Sequence, residues 1–323
     1  MKKISPGHIT RRALLKNGVG LCVELMLSSL LFASCRRSDT SGSETEPQTE
    51  VAEMTATRSD FEPAYLKLHR TGELKKRAEE LWAIMESCRL CPRQCGVNRL
   101  EGESGFCRAP GATLVVSSFH PHFGEERPLV GFGGSGTIFL THCNLRCVFC
   151  QNWEISQLGR GFETSIPELS EMMLELQRMG CHNINLVTPT HYSAHILKAI
   201  AIAAGAGLQL PIVYNTSGWE RLEILRILDG IVDIYLPDFK YWDSSISAKY
   251  SSGAESYPEL TKQAILEMHR QVGVAKPPQD GIMRRGLMIR HLVMPNDVAG
   301  SEKVMEWIAY HLPHDTYVNI MAQ

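Results

Sequence analysis

The alternation of short apolar runs with longer amphipathic stretches is the feature that most constrains the fold of this chain. Six runs rich in apolar and β-branched residues lie at positions 137–140, 184–187, 211–214, 232–236, 286–293 and 317–321. Five stretches with helical spacing separate them, at positions 167–179, 195–204, 222–228, 257–272 and 301–311. Strands that alternate with helices form a parallel sheet with helical crossovers. The sequence therefore predicts an α/β fold whose chemistry lies at the carboxyl ends of the strands.

Three cysteines follow the first predicted strand of this alternation. Cys143, Cys147 and Cys150 lie within the segment CNLRCVFC. Cysteines grouped in this way indicate metal binding more than disulfides. A closed zinc site or an ordinary iron–sulfur cluster takes four protein ligands. Either a further residue such as His142 completes the site, or one metal position stays open for a ligand.

A second group of four cysteines precedes the alternation, in a segment rich in Gly and Pro. A helical pattern that begins at Glu73 leads into this group. Four thiolates suit either zinc or a second iron–sulfur cluster, and the spacing does not choose between them. Disulfides are a further option if the protein is exported. The sequence predicts a small Cys-rich metal-binding module over residues 61–130, with the ligands Cys88, Cys91, Cys95 and Cys107.

The spacing Cys-x3-Cys-x2-Cys after a strand, with Phe149 before the last cysteine, resembles the radical SAM superfamily. The resemblance implies a partial (β/α)6 barrel over residues 131–323. It also implies that three thiolates hold a [4Fe–4S] cluster, that S-adenosylmethionine (SAM) ligates the fourth iron, and that Phe149 lies near these cofactors. The reduced cluster of the superfamily cleaves SAM to methionine and a 5′-deoxyadenosyl radical that abstracts hydrogen. SAM would then occupy the metal position that the three cysteines leave open.

Two segments, CVFCQNWEIS and LCPRQCGVNRLEGESGFC, are similar to the activase-like branch related to pyruvate formate-lyase activating enzyme. Those enzymes are oxidoreductases that abstract a glycine hydrogen from a partner protein. The likeness implies a possible protein substrate of the glycyl-radical type. It also implies a low-potential electron donor of the flavodoxin or ferredoxin type.

The resemblance further implies that residues at the strand ends contact SAM. In NLVTPTHY, where superfamily members usually carry Gly-Gly-Glu, no carboxylate is present, and Thr188, Thr190 and His191 take its place. The other expected contacts are Asn215 and Ser217 in YNTSGW, Asp238 and Lys240 in LPDFKYWD, and Arg290 in RHLVMPN. A helix-entry role for His191 and a structural salt bridge at Asp238 and Lys240 are the competing interpretations.

Two function classes remain open. The first is a radical SAM enzyme, and the second is an envelope-anchored iron–sulfur protein for electron transfer or binding on the same scaffold. The formal net charge of −2 gives no support for nucleic-acid binding. The segment GFGGSG precedes a strand and lacks the Lys-Ser/Thr of a phosphate loop, so it predicts a turn and not a nucleotide site.

The first 60 residues have the composition of an export segment and a tether. Paired arginines at Arg11 and Arg12 precede an apolar run that ends at Cys35, which resembles a twin-arginine signal with a lipoprotein cleavage site. Residues 36–60 are polar and predict a disordered tether. We therefore expect a lipoprotein of the cell envelope, held at a membrane by its lipid. A cytoplasmic protein whose translation starts at Met54 is the alternative.

Overall fold

The computed structural model describes residues 61–276 and 280–322. The expected signal segment, Cys35 and the expected tether lie outside the described residues. Within the described residues, no helix has the length and apolar character needed to cross a membrane.

Six parallel strands form the centre of the structure, as the sequence predicts. With two further strands, the described residues form a sheet of eight: β1 (Leu114–His122), β2 (Ser135–Leu140), β3 (Phe162–Thr164), β4 (Ile184–Val187), β5 (Ile212–Thr216), β6 (Ile234–Pro237), β7 (Gly286–Val293) and β8 (Tyr317–Ala322). Their order in the sheet is β3-β1-β2-β4-β5-β6-β7-β8, and β2 and β4 to β8 are parallel. The predicted α/β fold with a partial six-stranded barrel is confirmed.

Two helices precede the first strand, and the others lie in the connections between strands. They are α1 (Ala64–Thr71), α2 (Glu73–Ala83), α3 (Arg127–Val130), α4 (Trp153–Ser156), α5 (Ile166–Arg178), α6 (Ser193–Gly205), α7 (Leu222–Ile227), α8 (Ser244–Tyr250), α9 (Tyr257–Val272) and α10 (Ser301–His311). Helices α5, α6, α7, α9 and α10 lie in the five crossovers between parallel strands, close to their predicted bounds. Local sequence signals set such bounds. At the start of α5, for example, Ser165 and Glu168 form a capping box that satisfies free N–H groups of the first turn.

The amino-terminal side of the sheet differs from the prediction. Strand β1, which the six predicted strands do not include, pairs antiparallel with β2, and β3 pairs antiparallel with the other side of β1. The three residues of β3 are too few to show a period, and two of them are exposed. The chain therefore carries an antiparallel edge on its parallel sheet.

The Cys-rich module shares its hydrophobic core with the barrel. Tyr65, Leu74 and Leu90 are fully buried in the same cluster as the barrel residues Leu186 and Tyr214. A buried arginine adds a polar link between the two parts. Arg99 donates from Nη1 to the carbonyl of His191 at 2.7 Å, in the loop that follows β4.

The glycine-rich segment before β2 permits close packing. A Cβ on Gly133 would lie 2.0 Å from the carbonyl oxygen of Gly180, and one on Gly136 would lie 2.4 Å from that of Asn183. Gly134 has a φ of 79°, which favours glycine. Because they have no side chain, these glycines let the backbone pass close to Gly180 and Asn183. The segment forms a turn that leads into β2, as predicted.

Candidate active site

The loop after β2 carries the three cysteines of CNLRCVFC to the carboxyl end of the sheet. Backbone hydrogen bonds anchor the loop at both ends, from His142 to the carbonyl of Ile155 at 3.0 Å and from Val148 to that of Tyr250 at 3.0 Å. Arg146 has a left-handed φ of 53°, which curls the loop between Cys143 and Cys147. The loop is thereby fixed at an edge where neighbouring strands also end.

Each of the three sulfurs lies within reach of a hydrogen-bond donor. The Sγ of Cys143 accepts from the backbone N–H of Leu145 at 3.3 Å. The hydroxyl of Ser251 donates to the Sγ of Cys147 at 3.0 Å, and the hydroxyl of Ser156 lies 3.2 Å from the Sγ of Cys150. None of these cysteines forms a disulfide. Donors to sulfur stabilise thiolates and tune iron–sulfur clusters, so this donor set fits a cluster held by three thiolates.

Burial keeps the sulfurs of Cys143 and Cys147 in the thiol form before metal binds. It raises the pKa of Cys143 to about 11, with the neighbouring Cys147 adding to the rise. Burial also raises the pKa of Cys147, although the ammonium of Lys240 opposes the rise. Metal binding must therefore displace protons from the site.

His142 does not complete the three-cysteine site as a ligand in this arrangement. Its Nδ1 lies 2.8 Å from the hydroxyl of Thr141 and 3.3 Å from that of Tyr192, and the residue is not part of the cavity lining. No three Cys, His, Asp or Glu side chains of residues 61–276 and 280–322 converge on a point where a single ion would sit. The thiolates of a four-iron cluster bind different irons, so they lie farther apart than the ligands of one ion.

A cavity of about 440 Å³ opens beside the three sulfurs. This volume is within the ~300–1,000 Å³ range of small-molecule sites. Most of the residues expected to contact SAM line this cavity: Phe149, Thr188, Asn215, Ser217, Asp238, Lys240 and Arg290. The ring of Phe149 packs against Tyr241 with a centroid distance of 6.1 Å. The hydroxyl of Ser217 is buried and has no hydrogen-bond partner within the described part of the chain, so a polar ligand would satisfy it.

Asp238 joins the two cations of the cavity. Its carboxylate accepts from Nζ of Lys240 at 2.6 Å and from Nε of Arg290 at 2.9 Å. Burial opposes ionisation of Asp238, but the two cations outweigh burial and lower its pKa. Arg290 also donates from Nη2 to the amide oxygen of Asn215 at 2.7 Å. The ends of β5, β6 and β7 are thus linked by one buried polar network.

Thr190 and His191 lie away from the cavity. The ring of His191 is fully buried, with Nε2 at 2.9 Å from the carbonyl of Thr141, and burial lowers its pKa to about 3. The hydroxyl of Thr190 donates to Glu220 at 2.6 Å. In NLVTPTHY the structure therefore brings Thr188 to the cavity, with a φ of 62°, and buries Thr190 and His191 behind it.

Glu220 is a buried carboxyl that sequence reasoning did not identify. It also accepts from the hydroxyl of Thr216, a cavity residue, and so connects the loops that follow β4 and β5. Burial raises its pKa to about 7 although both threonine hydroxyls oppose the rise.

Glu125 is a second carboxylate that the sequence did not point to. It lies in the loop between β1 and α3, and it enters the cavity from outside the parallel strands. Apart from the backbone N–H of Glu126, its partners are between 60 and 165 residues away along the chain. No short motif connects such distant positions.

The second cysteine group lies beside the first loop. Burial raises the pKa of Cys91 to about 12, and the nearby Cys107, Cys88 and Cys95 raise it further. All four are free thiols. The four sulfurs are thus close enough to act on one another, although no three of them converge on a single-ion position in the described part of the chain. Whether they bind zinc or a cluster stays a prediction.

Arg93 connects this group to the first. Its guanidinium lies over the ring of Phe106 at 3.8 Å from the centroid and donates from Nε to the carbonyl of Asn144 at 2.9 Å. It also donates to the carbonyl of Ser251 at 3.3 Å, and the Ser251 hydroxyl bonds Cys147. The Cys-rich module thereby supports the loop of the three cysteines.

Replacing Glu220 by Gln should reduce the pH dependence of stability. The carboxyl titrates near 4.5 when unfolded and at about 7 when folded, so the folded state holds a proton that the unfolded chain releases between these values. The free energy of unfolding should therefore fall as the pH rises through this window, by up to roughly 3 kcal/mol for this group. Asp233, whose pKa burial also raises to about 7, acts in the same direction, so the slope should decrease without vanishing.

Urea unfolding at several pH values from about 5 to about 7.5 measures this effect. The exposed Glu259→Gln is the matched control and should keep the wild-type slope. Equal slopes for the wild type and Glu220→Gln would contradict the raised pKa.

Comparison with known proteins identifies the family of the segment that carries this site. Residues 137–273 match the family described as the Radical SAM superfamily. The chain is 32% identical over 252 residues to "Uncharacterized protein MJ0674" of Methanocaldococcus jannaschii, covering 74% of this chain and 66% of that protein. It is 30% identical over 160 residues to "Uncharacterized protein MJ0808" of the same organism, covering 44% of this chain and 46% of that protein. The chain thus spans just under two thirds of the length of one curated relative and about half of the other.

The matched segment contains most of β2, the three-cysteine loop and the strand ends up to Lys240 that line the cavity. The superfamily carries a [4Fe–4S] cluster and SAM, for which the three thiols and the polar cavity are suited. Residues 137–273 form a radical SAM domain.

Proposed function

We propose that this protein is an enzyme that cleaves SAM reductively and uses the resulting radical to abstract hydrogen. The observation that carries the proposal is the single cavity in which three free thiols meet the polar residues of the strand ends. When bound, the [4Fe–4S] cluster would supply an electron to the sulfonium of SAM, and the 5′-deoxyadenosyl radical would follow. Cys143, Cys147 and Cys150 would hold that cluster and leave one iron open for the cosubstrate.

The chain's own residues would bind and orient SAM. Lys240 lies between Asp238 and Cys147, and both of these neighbours raise its pKa although burial opposes them. A cation next to the cluster ligands is suited to the carboxylate of SAM. Asn215 and the unpartnered hydroxyl of Ser217 would bind further polar groups of the cosubstrate.

The finer part of the proposal is activation of a partner protein of the glycyl-radical type. Its support is the likeness of CVFCQNWEIS and the cysteine-rich segment to activating enzymes. Two exposed apolar side chains lie near the three-cysteine loop, since Val148 is 70% exposed and Trp153 is 49% exposed. Such side chains are suited to contact with a protein. A flavodoxin- or ferredoxin-type donor would supply the electron.

An envelope iron–sulfur protein without SAM chemistry is the second candidate. The observation in its favour is the burial of Thr190 and His191, which leaves them unable to contact a ligand in the cavity. A protein of this kind would bind a cluster and release no 5′-deoxyadenosine.

Alanine at Cys143, Cys147 or Cys150 should reduce SAM cleavage to background, because each thiol is expected to ligate iron. The protein is reconstituted anaerobically with iron and sulfide, mixed with SAM and dithionite, and assayed for 5′-deoxyadenosine. Cys181→Ala, which removes a buried thiol outside both groups, should keep the activity. Cleavage retained in any of the three variants would overturn the ligand assignment, and no cleavage by the wild type would favour the second candidate.

We also propose that Cys88, Cys91, Cys95 and Cys107 bind a metal of their own, as zinc or a second iron–sulfur cluster. The variant with Cys143, Cys147 and Cys150 all replaced by alanine should still contain zinc or iron. Cys91→Ala should lose that metal and unfold at a lower temperature, because metal binding to such a loop contributes to folding. Elemental analysis and thermal unfolding measure both. A triple variant without metal would count against a separate site.

The location that we propose is the cell envelope, with lipid at Cys35 and residues 36–60 as a tether. Several acyl chains, at ~0.8 kcal/mol per buried CH₂, would hold the protein firmly at a membrane. Replacing both Arg11 and Arg12 by Lys should keep the protein in the cytoplasm, and Cys35→Ala should remove the lipid. Fractionation and mass spectrometry of the mature amino terminus measure this. A soluble product that begins near Met54 would establish the cytoplasmic alternative.

A further inference from the structure

Two successive residues that follow α8 bind the three-cysteine loop. The hydroxyl of Ser251 donates to the Sγ of Cys147 at 3.0 Å. The hydroxyl of the next residue, Ser252, donates to the carbonyl of Arg146 at 3.3 Å. Both bonds hold the loop in place, but only the bond from Ser251 reaches an expected cluster ligand.

The direction of the bond to Cys147 follows from the neighbours of Ser251. Its hydroxyl also lies 2.8 Å from the hydroxyl of Tyr241. A thiolate that holds iron can only accept, and a serine hydroxyl has a single proton to donate. Ser251 must therefore donate to the sulfur, and Tyr241 must donate to Ser251. Both residues are fully buried, and a hydrogen bond is electrostatically stronger away from water.

Arg93 of the Cys-rich module fixes the backbone of Ser251. Its guanidinium donates from Nη2 to the carbonyl of Ser251 at 3.3 Å, and from Nε to the carbonyl of Asn144 in the cysteine loop at 2.9 Å. The guanidinium also lies over the ring of Phe106 at 3.8 Å and over that of Trp219 at 4.9 Å from the centroids, which restricts its position. One planar fork thus joins the two segments between which the bond to sulfur forms.

We propose that the Ser251 hydroxyl raises the reduction potential of a cluster bound by Cys143, Cys147 and Cys150, and that Arg93 positions Ser251 for this role. Reduction adds one electron and makes the thiolates more negative, while the proton stays on Ser251. A donor to sulfur therefore stabilises the reduced state more than the oxidised state. The inference rests on the proposed function, because that function supplies the cluster. It gives the Cys-rich module a role in how readily the cluster accepts its electron.

The test measures the midpoint potential of the reconstituted full-length protein without SAM. The protein is reduced in steps with titanium(III) citrate in the presence of redox mediators, and electron paramagnetic resonance follows the reduced cluster. The signal to follow is the one that is absent from the variant with alanine at Cys143, Cys147 and Cys150. This choice excludes a contribution from a cluster at the second cysteine group.

Ser251→Ala should lower this potential by about 59 mV, the equivalent of a tenfold change in the equilibrium constant of a one-electron couple. Ser251→Thr keeps a hydroxyl and should stay close to the wild type. Ser252→Ala is the matched control, because it removes a neighbouring hydroxyl that bonds the same loop but does not reach sulfur. It should have the wild-type potential.

Arg93→Lys tests the positioning role. Lysine keeps the positive charge but loses the planar fork that bonds two carbonyls at once. The potential of Arg93→Lys should therefore shift in the same direction as that of Ser251→Ala. The double variant should have the potential of Ser251→Ala alone, because an effect that acts through Ser251 cannot add to the loss of its hydroxyl. An Arg93→Lys shift that persists in full in the double variant would overturn the positioning role.

Equal potentials for Ser251→Ala and the wild type would overturn the proposal, as would a Ser252→Ala potential as low as that of Ser251→Ala. Thermal unfolding of the protein without metal shows whether each variant folds. Should Ser251→Ala not fold, Tyr241→Phe and Arg93→Lys decide. Tyr241→Phe removes the hydroxyl that polarises Ser251 and should lower the potential by a smaller amount. No shift in either variant would then contradict the inference.

The same measurements separate this inference from the proposed function. A wild type in which no signal depends on the three cysteines would remove the cluster and overturn the inference with it. A protein that shows the expected potentials but releases no 5′-deoxyadenosine from SAM would lose the proposed function and keep the inference.

Discussion

The carboxylate of Asp238 holds Lys240 and Arg290 together at the carboxyl end of the sheet, and the arrangement of the cavity depends on this contact. Charges removed from water are costly unless they are paired at short range and hydrogen-bonded. Here the pairs measure 2.6 and 2.9 Å, and Arg290 continues to Asn215. Because Lys240 also lies near Cys147, the same network connects three strand ends to the cysteine loop. The network therefore fixes the position of the polar side chains at the strand ends relative to the cysteine loop.

The Cys-rich module supports the site from the other side. Arg93 lies between Cys91 and Cys95 in the chain, and it donates to the carbonyls of Asn144 and Ser251. The Ser251 hydroxyl bonds the sulfur of Cys147 and lies 2.8 Å from the hydroxyl of Tyr241. Hydrogen bonds to cluster thiolates influence the reduction potential of a cluster. The module is thus positioned to affect the first cysteine group through these hydrogen bonds.

The sequence predicted those features that local patterns encode. The period of apolar residues indicated the six parallel strands, and α9 and α10 begin and end where the pattern does. The family resemblance predicted that Asn215, Asp238 and Lys240 contact SAM, and they line the cavity because the carboxyl ends of parallel strands share one edge of the sheet. The short and mostly exposed strand β3 offered no such pattern.

The other differences come from contacts between distant parts of the chain. Thr190 and His191 follow a strand as expected. The hydroxyl of Thr190 donates to Glu220, however, and the ring of His191 bonds the carbonyl of Thr141, so both side chains lie away from the cavity. Glu125 lies before the first parallel strand, and only the closed fold brings it to Asn185 and Asn215. Side-chain direction after a strand depends on partners that a short motif does not contain.

The central claim is that three cysteines leave one iron of a cluster open to SAM. Electron paramagnetic resonance of the reduced, reconstituted protein tests it most directly, because a ligand that binds an iron changes the spectrum of the cluster. The signal should change when SAM is added to the wild type. To exclude a contribution from the second cysteine group, the variant with alanine at Cys143, Cys147 and Cys150 should show no signal that responds to SAM. A wild-type spectrum that is identical with and without saturating SAM would contradict the account.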